Sequence, residues 1–216
     1  MKGRDLMLYV LEGTDMLTGD FENAACPFLS RQRLEKISSL RSQHDRIDGC
    51  AVYLLLRLGL FREYGITAAP EFTFGERGKP YLKDCNGIYF NMSHAKNAVC
   101  CLISSGENAV DITDIREVKN NVMRRVCDED ELVSIENSSD KQRAFLKLWT
   151  RKECLSKLSG KGMAESFRSL TDKLAASRRL RTIEREGYIL SYWSESVESI
   201  SYLTEKDLLD SLEALK

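Results

Sequence analysis

Residues 148–157 read LWTRKECLSK, and their spacing has the period of a helix. At about 100° per residue, Trp149, Glu153 and Lys157 recur at every fourth position and form one narrow band. Leucines at positions 148, 155 and 158 lie on the neighbouring face, where they supply a core contact. Taken alone, the band fits either an exposed Glu–Lys pair of roughly 0.3 kcal/mol or an acid and a base that the helix presents to a ligand.

A second informative stretch lies upstream, where residues 109–113 read AVDIT. In a strand of period two, Asp111 and Thr113 project to one side and Asp114 to the other. An aspartate among apolar residues is costly to bury unless it is paired or bound to a metal. Asp111 and Glu153 together suit Mg²⁺, which takes carboxylate oxygens and keeps several waters while it binds phosphate. The alternative is an aspartate that ends a strand and begins a turn.

Two further segments carry groups that suit an anion. Residues 75–82 read GERGKPYL, in which the glycines allow close backbone approach and Lys79 can meet a phosphate. This segment is not a complete phosphate-binding loop, because Pro80 stands where that motif has a hydroxyl residue. Residues 90–94 read FNMSH and predict a strand that ends in small polar groups and His94. A histidine alone at a strand end is usually structural, and ligand binding is the alternative.

The composition narrows the function classes. With 32 basic and 33 acidic residues the chain has a net charge of −1, so no global field draws it to nucleic acid. Its apolar runs are too short for a membrane span, and the start of the chain does not have the pattern of a signal peptide. The seven cysteines include no C-x-x-C pair, which favours free thiols in a reducing compartment. We therefore expect a cytoplasmic protein that binds neither nucleic acid nor a membrane.

The order of predicted elements runs through one pattern twice. A strand over residues 6–12 precedes a helical region from Ser30, a helix stop at Gly65 and strand-like runs up to residue 104. A strand over residues 109–113 then precedes helical sequence from about 118 to 158, strands near 187–193 and 198–203, and a last helix from about 204. Ser139 followed by Gln142 predicts a capping box within this helical sequence. The pattern predicts an α+β protein of two similar α/β halves, residues 1–106 and 107–216.

The four motifs, in this order, resemble those of the 4′-phosphopantetheinyl transferase superfamily in its two-halved, monomeric, Sfp-type form. That family has Gly-Lys-Pro, then Asn-x-Ser-His, then an aspartate followed two residues later by a glutamate, then Trp-Ser/Thr-x-Lys-Glu-x-x-x-Lys. The counterparts here lie at residues 78–80, 91–94, 110–113 and 149–157. The last motif is the most specific. The resemblance implies two halves related by a pseudo-twofold axis, with the active site at their interface.

The resemblance also implies a reaction and its catalytic residues. The enzyme would transfer 4′-phosphopantetheine from coenzyme A to a serine of an acyl or peptidyl carrier protein and release adenosine 3′,5′-bisphosphate. Asp111 and Glu153 would bind Mg²⁺, which grips the pyrophosphate. Glu153 would take the serine proton, directly or through water, and Lys157 would stabilise the phosphate oxygens and the leaving group.

Eight residues are expected to hold coenzyme A. The motif residues would contact the nucleotide and its phosphates, whereas basic residues of the first helical region are candidates for the 3′-phosphate. The motif residues are Gly78, Lys79, Pro80, Ser93 and His94, and the basic residues are Arg33, Lys36 and Arg46.

The chain departs from the family pattern of the metal motif at Ala109, where the family has a glycine, and at Thr113. Thr113 stands where the family has a second acid; its hydroxyl could bind the metal, directly or through water, but it brings no negative charge. A catalytically weakened module that binds coenzyme A and carrier domains is therefore the alternative function, and an interaction scaffold without a ligand is a third. The sequence does not name the carrier. A monomer is expected, because two halves in one chain build the cleft together.

Overall fold

The computed structural model describes residues 7–160, 167–170, 177–195 and 199–215 of the chain. Helices and strands alternate in blocks along these ranges. The helices are α1 (Gly19–Ala25), α2 (Arg31–Ser38), α3 (Gln43–Tyr64), α4 (Asn120–Val126), α5 (Glu129–Glu136), α6 (Lys141–Ser159) and α7 (Glu205–Leu212). The strands are β1 (Met7–Glu12), β2 (Phe72–Phe74), β3 (Pro80–Leu82), β4 (Tyr89–His94), β5 (Ala98–Ser104), β6 (Ala109–Asp114), β7 (Leu180–Glu184), β8 (Tyr188–Trp193) and β9 (Ser199–Leu203).

The first sheet has the strand order β4-β5-β1-β9. β1 pairs antiparallel with β5 and parallel with β9. Because side chains alternate along a strand, Tyr9 and Leu11 enter the core beneath α3, whereas Leu8 and Val10 enter a second core on the other face. α3 lies very close to the sheet at Gly59, where a Cβ atom would come within 2.2 Å of Ile103 Cδ1. Glycine is required there by the close approach.

The second sheet has the order β6-β8-β7 and is antiparallel throughout. Val110 and Ile112 of β6 enter the core that Leu8 and Val10 line, so the two sheets pack face to face. The opposite face of β6 lies against α6, where Ala109 packs with Cys154 and Leu155 and Cys154 Sγ donates to the Ala109 carbonyl at 3.4 Å. This arrangement turns Asp111, two residues after Ala109, toward α6.

Of the helix ends predicted from the sequence, the stop at Gly65 is confirmed and the capping box at Ser139 is not. α3 begins at the Ser42 cap and is followed by Gly65 with φ 68°, the left-handed conformation that glycine favours, which confirms the predicted stop. α6 has Asp140 as its N-cap, whose side chain accepts from the Arg143 backbone N–H. The predicted capping box from Ser139 is therefore wrong. Gln142 instead accepts the Val118 N–H through its side chain at 2.8 Å.

The mixed α+β class is confirmed, and both sheets share one local plan. In the first sheet, β5 of the β4–β5 hairpin pairs antiparallel with β1, and α3 covers these two strands. In the second sheet, β8 of the β7–β8 hairpin pairs antiparallel with β6, and α6 covers these two strands. The predicted helical stretch from 118 to 158 is three helices, and the sequence prediction missed strand β7. The division at residue 106 stays a prediction. β9 and α7, from the end of the chain, lie against β1 and α3. In the described ranges, no helix is long and apolar enough to cross a membrane.

Candidate active site

Asp111 lies buried in the middle of β6, where two cationic or polar groups hold its carboxylate. Lys157 Nζ donates to Asp111 Oδ1 at 2.8 Å, and Ser93 Oγ donates to the same oxygen at 3.0 Å. Lys157 Nζ also lies 2.8 Å from Ser93 Oγ. Three residues far apart in sequence thus form one hydrogen-bonded triangle. Among the described residues both bonds use Oδ1, which leaves the lone pairs of Oδ2 for a further ligand.

Lys157 remains charged in this setting. Burial lowers the pKa of its ammonium group, but the charge and the hydrogen bond of Asp111 outweigh burial, and the pKa is raised overall. The ammonium also donates to the Val110 carbonyl at 3.1 Å. A fixed positive charge therefore lies at the centre of the cluster, where it can stabilise an anion.

Glu153 lies one turn before Lys157 on the same face of α6. Burial raises the pKa of its carboxyl group, and the negative charge of Asp111 raises it further, while Lys157 acts in the opposite direction. The two carboxylates thus repel each other through a partly buried space. A group of this kind is suited to accept a proton, or to share a divalent cation with Asp111.

The neighbouring residues of β6 divide as the strand period requires. Thr113 is buried on the Asp111 side, so its hydroxyl is on the face where the family acid would lie. Asp114 projects the other way, and its two carboxylate oxygens accept the backbone N–H groups of Lys96 and Asn97 at 2.9 and 3.3 Å. The role of Asp114 is to hold the β4–β5 turn, and it does not replace the missing acid.

A cleft of about 240 Å³ opens between the β2–β3 turn and the end of α6. Gly78, Lys79 and Pro80 line one side of it, and Lys157 and Gly160 line the other. Gly78 has φ 80° in the turn, which favours glycine. Burial lowers the pKa of Lys79, whose ammonium reaches across to the Leu158 carbonyl at 3.4 Å. The glycine–lysine–proline motif and the C-terminal end of α6 therefore face the same space.

His94 ends β4 and is exposed on the side opposite Ser93. Its charge acts on Asp48, which is buried near the start of α3. Burial raises the pKa of Asp48, and the charges of His44 and His94 act against that increase. His44 Nε2 lies 3.4 Å from Asp48 Oδ2. The end of β4 and the first turns of α3 thus meet around one acid.

The predicted 3′-phosphate residues lie on α2 and at the start of α3, outside the residues that line the cleft. Arg33 donates to the Gly49 carbonyl through Nε at 3.2 Å. Arg46 pairs with Glu22 at 2.8 Å. Lys36 is exposed on α2. Their assignment to the 3′-phosphate stays a prediction.

Sequence reasoning missed two groups that support the cluster. Asn91 is buried, and its Oδ1 accepts the Val110 N–H at 3.3 Å. Lys152 is fully buried beside Glu153, and its ammonium bonds to Glu131 Oε2 at 2.6 Å and to the Val126 carbonyl at 3.0 Å. The sequence signal that could have indicated them is that Asn91 lies in the motif at residues 91–94 and Lys152 in the motif at residues 149–157. Periodicity does not report partners so distant in sequence.

The donors present fit a magnesium ion of low protein coordination. The described residues hold no group of three or more histidine, cysteine or acidic side chains arranged for a metal. Asp111 and Glu153 supply two hard oxygens whose mutual repulsion a divalent cation would relieve, and Thr113 lies on the Asp111 face. Mg²⁺ accepts such a site, because it keeps several waters and takes phosphate oxygens as further ligands.

Comparisons with known proteins point to the same class of enzyme. The family model of the 4′-phosphopantetheinyl transferase superfamily matches residues 108–208. A 4′-phosphopantetheinyl transferase of Bacillus subtilis is 24% identical over 161 residues, which cover 73% of this chain and 72% of that protein. The 4′-phosphopantetheinyl transferase Sfp of Bacillus subtilis strain 168 is 25% identical over 150 residues, 68% of this chain and 67% of that protein.

A shorter match is closer in sequence. The 4′-phosphopantetheinyl transferase AcpT of Salmonella typhimurium is 33% identical over 100 residues, which cover 44% of this chain and 52% of that protein. The matched family region contains Asp111, Glu153 and Lys157. Over the matched ranges the chain is similar to the 4′-phosphopantetheinyl transferase superfamily and to its Sfp-type members. Each of these relatives is named as a transferase of that type.

Proposed function

We propose that the chain transfers 4′-phosphopantetheine from coenzyme A to a serine hydroxyl of an acyl or peptidyl carrier domain, with Mg²⁺ as the cofactor. The observation that carries this proposal is the contact of Lys157 with Asp111 Oδ1 at 2.8 Å, with Glu153 one turn away on the same helix face. An acid, a proton acceptor and a fixed cation thereby meet beside the cleft that Lys79 lines.

The chemistry is a substitution at phosphorus. The serine oxygen forms a bond to the phosphorus that carries pantetheine, and the bond from that phosphorus to the bridging pyrophosphate oxygen breaks. Glu153 accepts the serine proton, for which a raised pKa is suited. Lys157 stabilises the charge on the phosphate oxygens and on the departing adenosine 3′,5′-bisphosphate. When bound at Asp111 and Glu153, Mg²⁺ supplies charge neutralisation on the pyrophosphate.

Substrate binding divides between the two sides of the cleft. Lys79, beside Gly78 and Pro80, is proposed to contact a phosphate of coenzyme A, and so is Ser93, which donates to Asp111 Oδ1. His94 and the basic residues of α2 and α3 are proposed to hold the nucleotide. We extend the proposal to two similar halves with the site at their interface, supported by the strand order that both sheets share. A monomeric, cytoplasmic enzyme fits this arrangement.

The test is direct transfer. The protein is incubated with coenzyme A, Mg²⁺ and several apo carrier domains, and the intact mass of each carrier is measured. We expect one carrier or more to gain the mass of phosphopantetheine. Coenzyme A binding without added mass on any carrier would instead support the weakened binding module, for which Thr113 in place of an acid is the supporting observation.

A matched pair of variants ties the activity to the site. Asp111→Asn removes a proposed metal ligand and should abolish transfer. Asp114→Asn removes an equal charge three residues away on the opposite face of β6, where the side chain holds a turn. We expect Asp114→Asn to keep transfer within about threefold of wild type. Equal loss in both variants would contradict the assignment of Asp111.

A further inference from the structure

The active-site strand β6 lies at the edge of its sheet, and β4 lies at the edge of the other sheet beside it. An edge strand presents backbone N–H groups that no neighbouring strand accepts. On β6 two of these belong to Val110 and Ile112, the residues on either side of Asp111. Their N–H groups need acceptors, because both residues are buried.

Side chains of β4 supply those acceptors. Asn91 Oδ1 accepts the Val110 N–H at 3.3 Å, and Ser93 Oγ accepts the Ile112 N–H at 3.4 Å. The acceptors are two residues apart on β4, as the donors are on β6, so the side chains follow the period of both strands. Side chains thus take the place of a strand neighbour, and the segment that carries Asp111 is fixed at both ends from the other sheet.

We infer that Asn91 is a positioning residue for Asp111, which it holds in register through the Val110 N–H; this inference rests on the proposed metal-dependent transfer. Asn91 touches the backbone before Asp111 and not the carboxylate itself. Ser93 and Lys157 donate hydrogen bonds to Oδ1 of that carboxylate. Both bonds depend on the position of β6 relative to β4 and α6. Loss of the Asn91 acceptor leaves a buried N–H unsatisfied and lets β6 shift relative to β4.

The effect of such a shift differs from the effect of a lost substrate contact. Groups that orient a metal ligand typically cost about 10- to 100-fold in metal affinity or activity when they are removed. A residue that only binds coenzyme A would instead raise the KM for coenzyme A. Asn91 lines the cleft, so the distinction between kcat and KM has to be measured.

The experiment compares two near-isosteric variants. Asn91→Leu removes the acceptor, whereas Asn91→Asp keeps an oxygen that can accept the Val110 N–H. Mn²⁺ binding to the protein alone is followed by electron paramagnetic resonance, and kcat and KM for coenzyme A are measured with Mg²⁺. We expect Asn91→Leu to weaken Mn²⁺ binding and lower kcat by about 10-fold or more, with KM changed by less than about threefold. Asn91→Asp should retain metal affinity.

A second buried asparagine provides the control. Asn108 donates to the Tyr89 carbonyl at 3.1 Å and to Ser104 Oγ at 2.6 Å, so Asn108→Leu also removes a buried amide but not an acceptor of β6. We expect this variant to lose stability and to keep Mn²⁺ affinity. Wild-type Mn²⁺ affinity in Asn91→Leu, or the same loss in Asn108→Leu, would overturn the inference alone. A wild-type protein that neither binds Mn²⁺ nor transfers would overturn the proposed function and this inference with it.

Discussion

Replacement of Glu131 by alanine should destabilise the protein more than replacement of its partner Lys152 by methionine. Lys152 is fully buried, and Glu131 has a side chain that is 10% exposed. Glu131 also closes the capping box of α5, in which its Oε2 accepts the Asp128 N–H at 2.9 Å. The carboxylate therefore keeps a donor and the favourable end of a helix dipole when the lysine is lost.

The loss of unfolding free energy in each variant depends on which buried charge is left without its partner. Glu131→Ala leaves a buried ammonium that still donates to the Val126 carbonyl, and it opens the capping box. Removal of one partner of a buried ion pair costs about 3–5 kcal/mol, and loss of a cap adds about 1 kcal/mol. Lys152→Met keeps the length of the side chain and leaves only the better-solvated carboxylate without its partner. We therefore expect it to lower the free energy of unfolding by about 1–2 kcal/mol. In the double variant the two costs should not add, because no uncompensated charge remains.

Urea unfolding, followed by tryptophan fluorescence, measures these free energies. At about 2–4 °C per kcal/mol for a chain of this length, a loss of about 4–6 kcal/mol in Glu131→Ala should also lower Tm by about 8–24 °C. Glu129→Ala is the control, since Glu129 is exposed in the same first helical turn and should cost less than about 0.5 kcal/mol. A larger cost for Lys152→Met than for Glu131→Ala would refute the reasoning, as would additive costs in the double variant.

Four further predictions concern the site and the thiols. Glu153→Gln should lower kcat at least 100-fold, of the order expected for loss of a general base. Because burial and Asp111 raise the pKa of Glu153, the folded state favours its protonated form. The stability of the wild type in metal-free buffer should therefore fall as pH rises from the unfolded pKa through the folded one, and Glu153→Gln should be the more stable protein above that window. Unfolding curves of both proteins from pH 4 to pH 8 test this sign. A stability advantage of Glu153→Gln over the wild type that grew toward low pH would contradict it. Thr113→Glu should tighten Mn²⁺ binding if position 113 faces the metal, and an unchanged titration would count against that placement. Iodoacetamide should modify exposed Cys26 in the native protein, whereas Cys100, whose pKa burial raises to about 12, should react only after unfolding; equal rates by peptide mass spectrometry would contradict the burial.

Much of the fold was predictable where the signal is local. The glycine after α3 adopts the left-handed conformation that ends a helix, and alternation along β6 correctly separates Asp111 and Thr113 from Asp114. β7 was missed because Leu180 is its only buried residue, so the strand lacks a regular apolar alternation. The helical region before residue 158 was too long because periodicity does not report the breaks at Cys127 and near Asp140, where caps end one helix and begin the next.

The site divides in the same way. The sequence by itself determined the residue types, their order and the faces on which they lie, because these depend on the period of one strand or one helix. Only the tertiary structure decided that Ser93, Asp111 and Lys157 share one oxygen, and that Asn91 supplies the acceptor beside it. It also decided that β9 joins β1 and that Glu131 neutralises Lys152. Each of these contacts joins residues that lie far apart along the chain, and their pairing is fixed by how the two sheets and α6 pack.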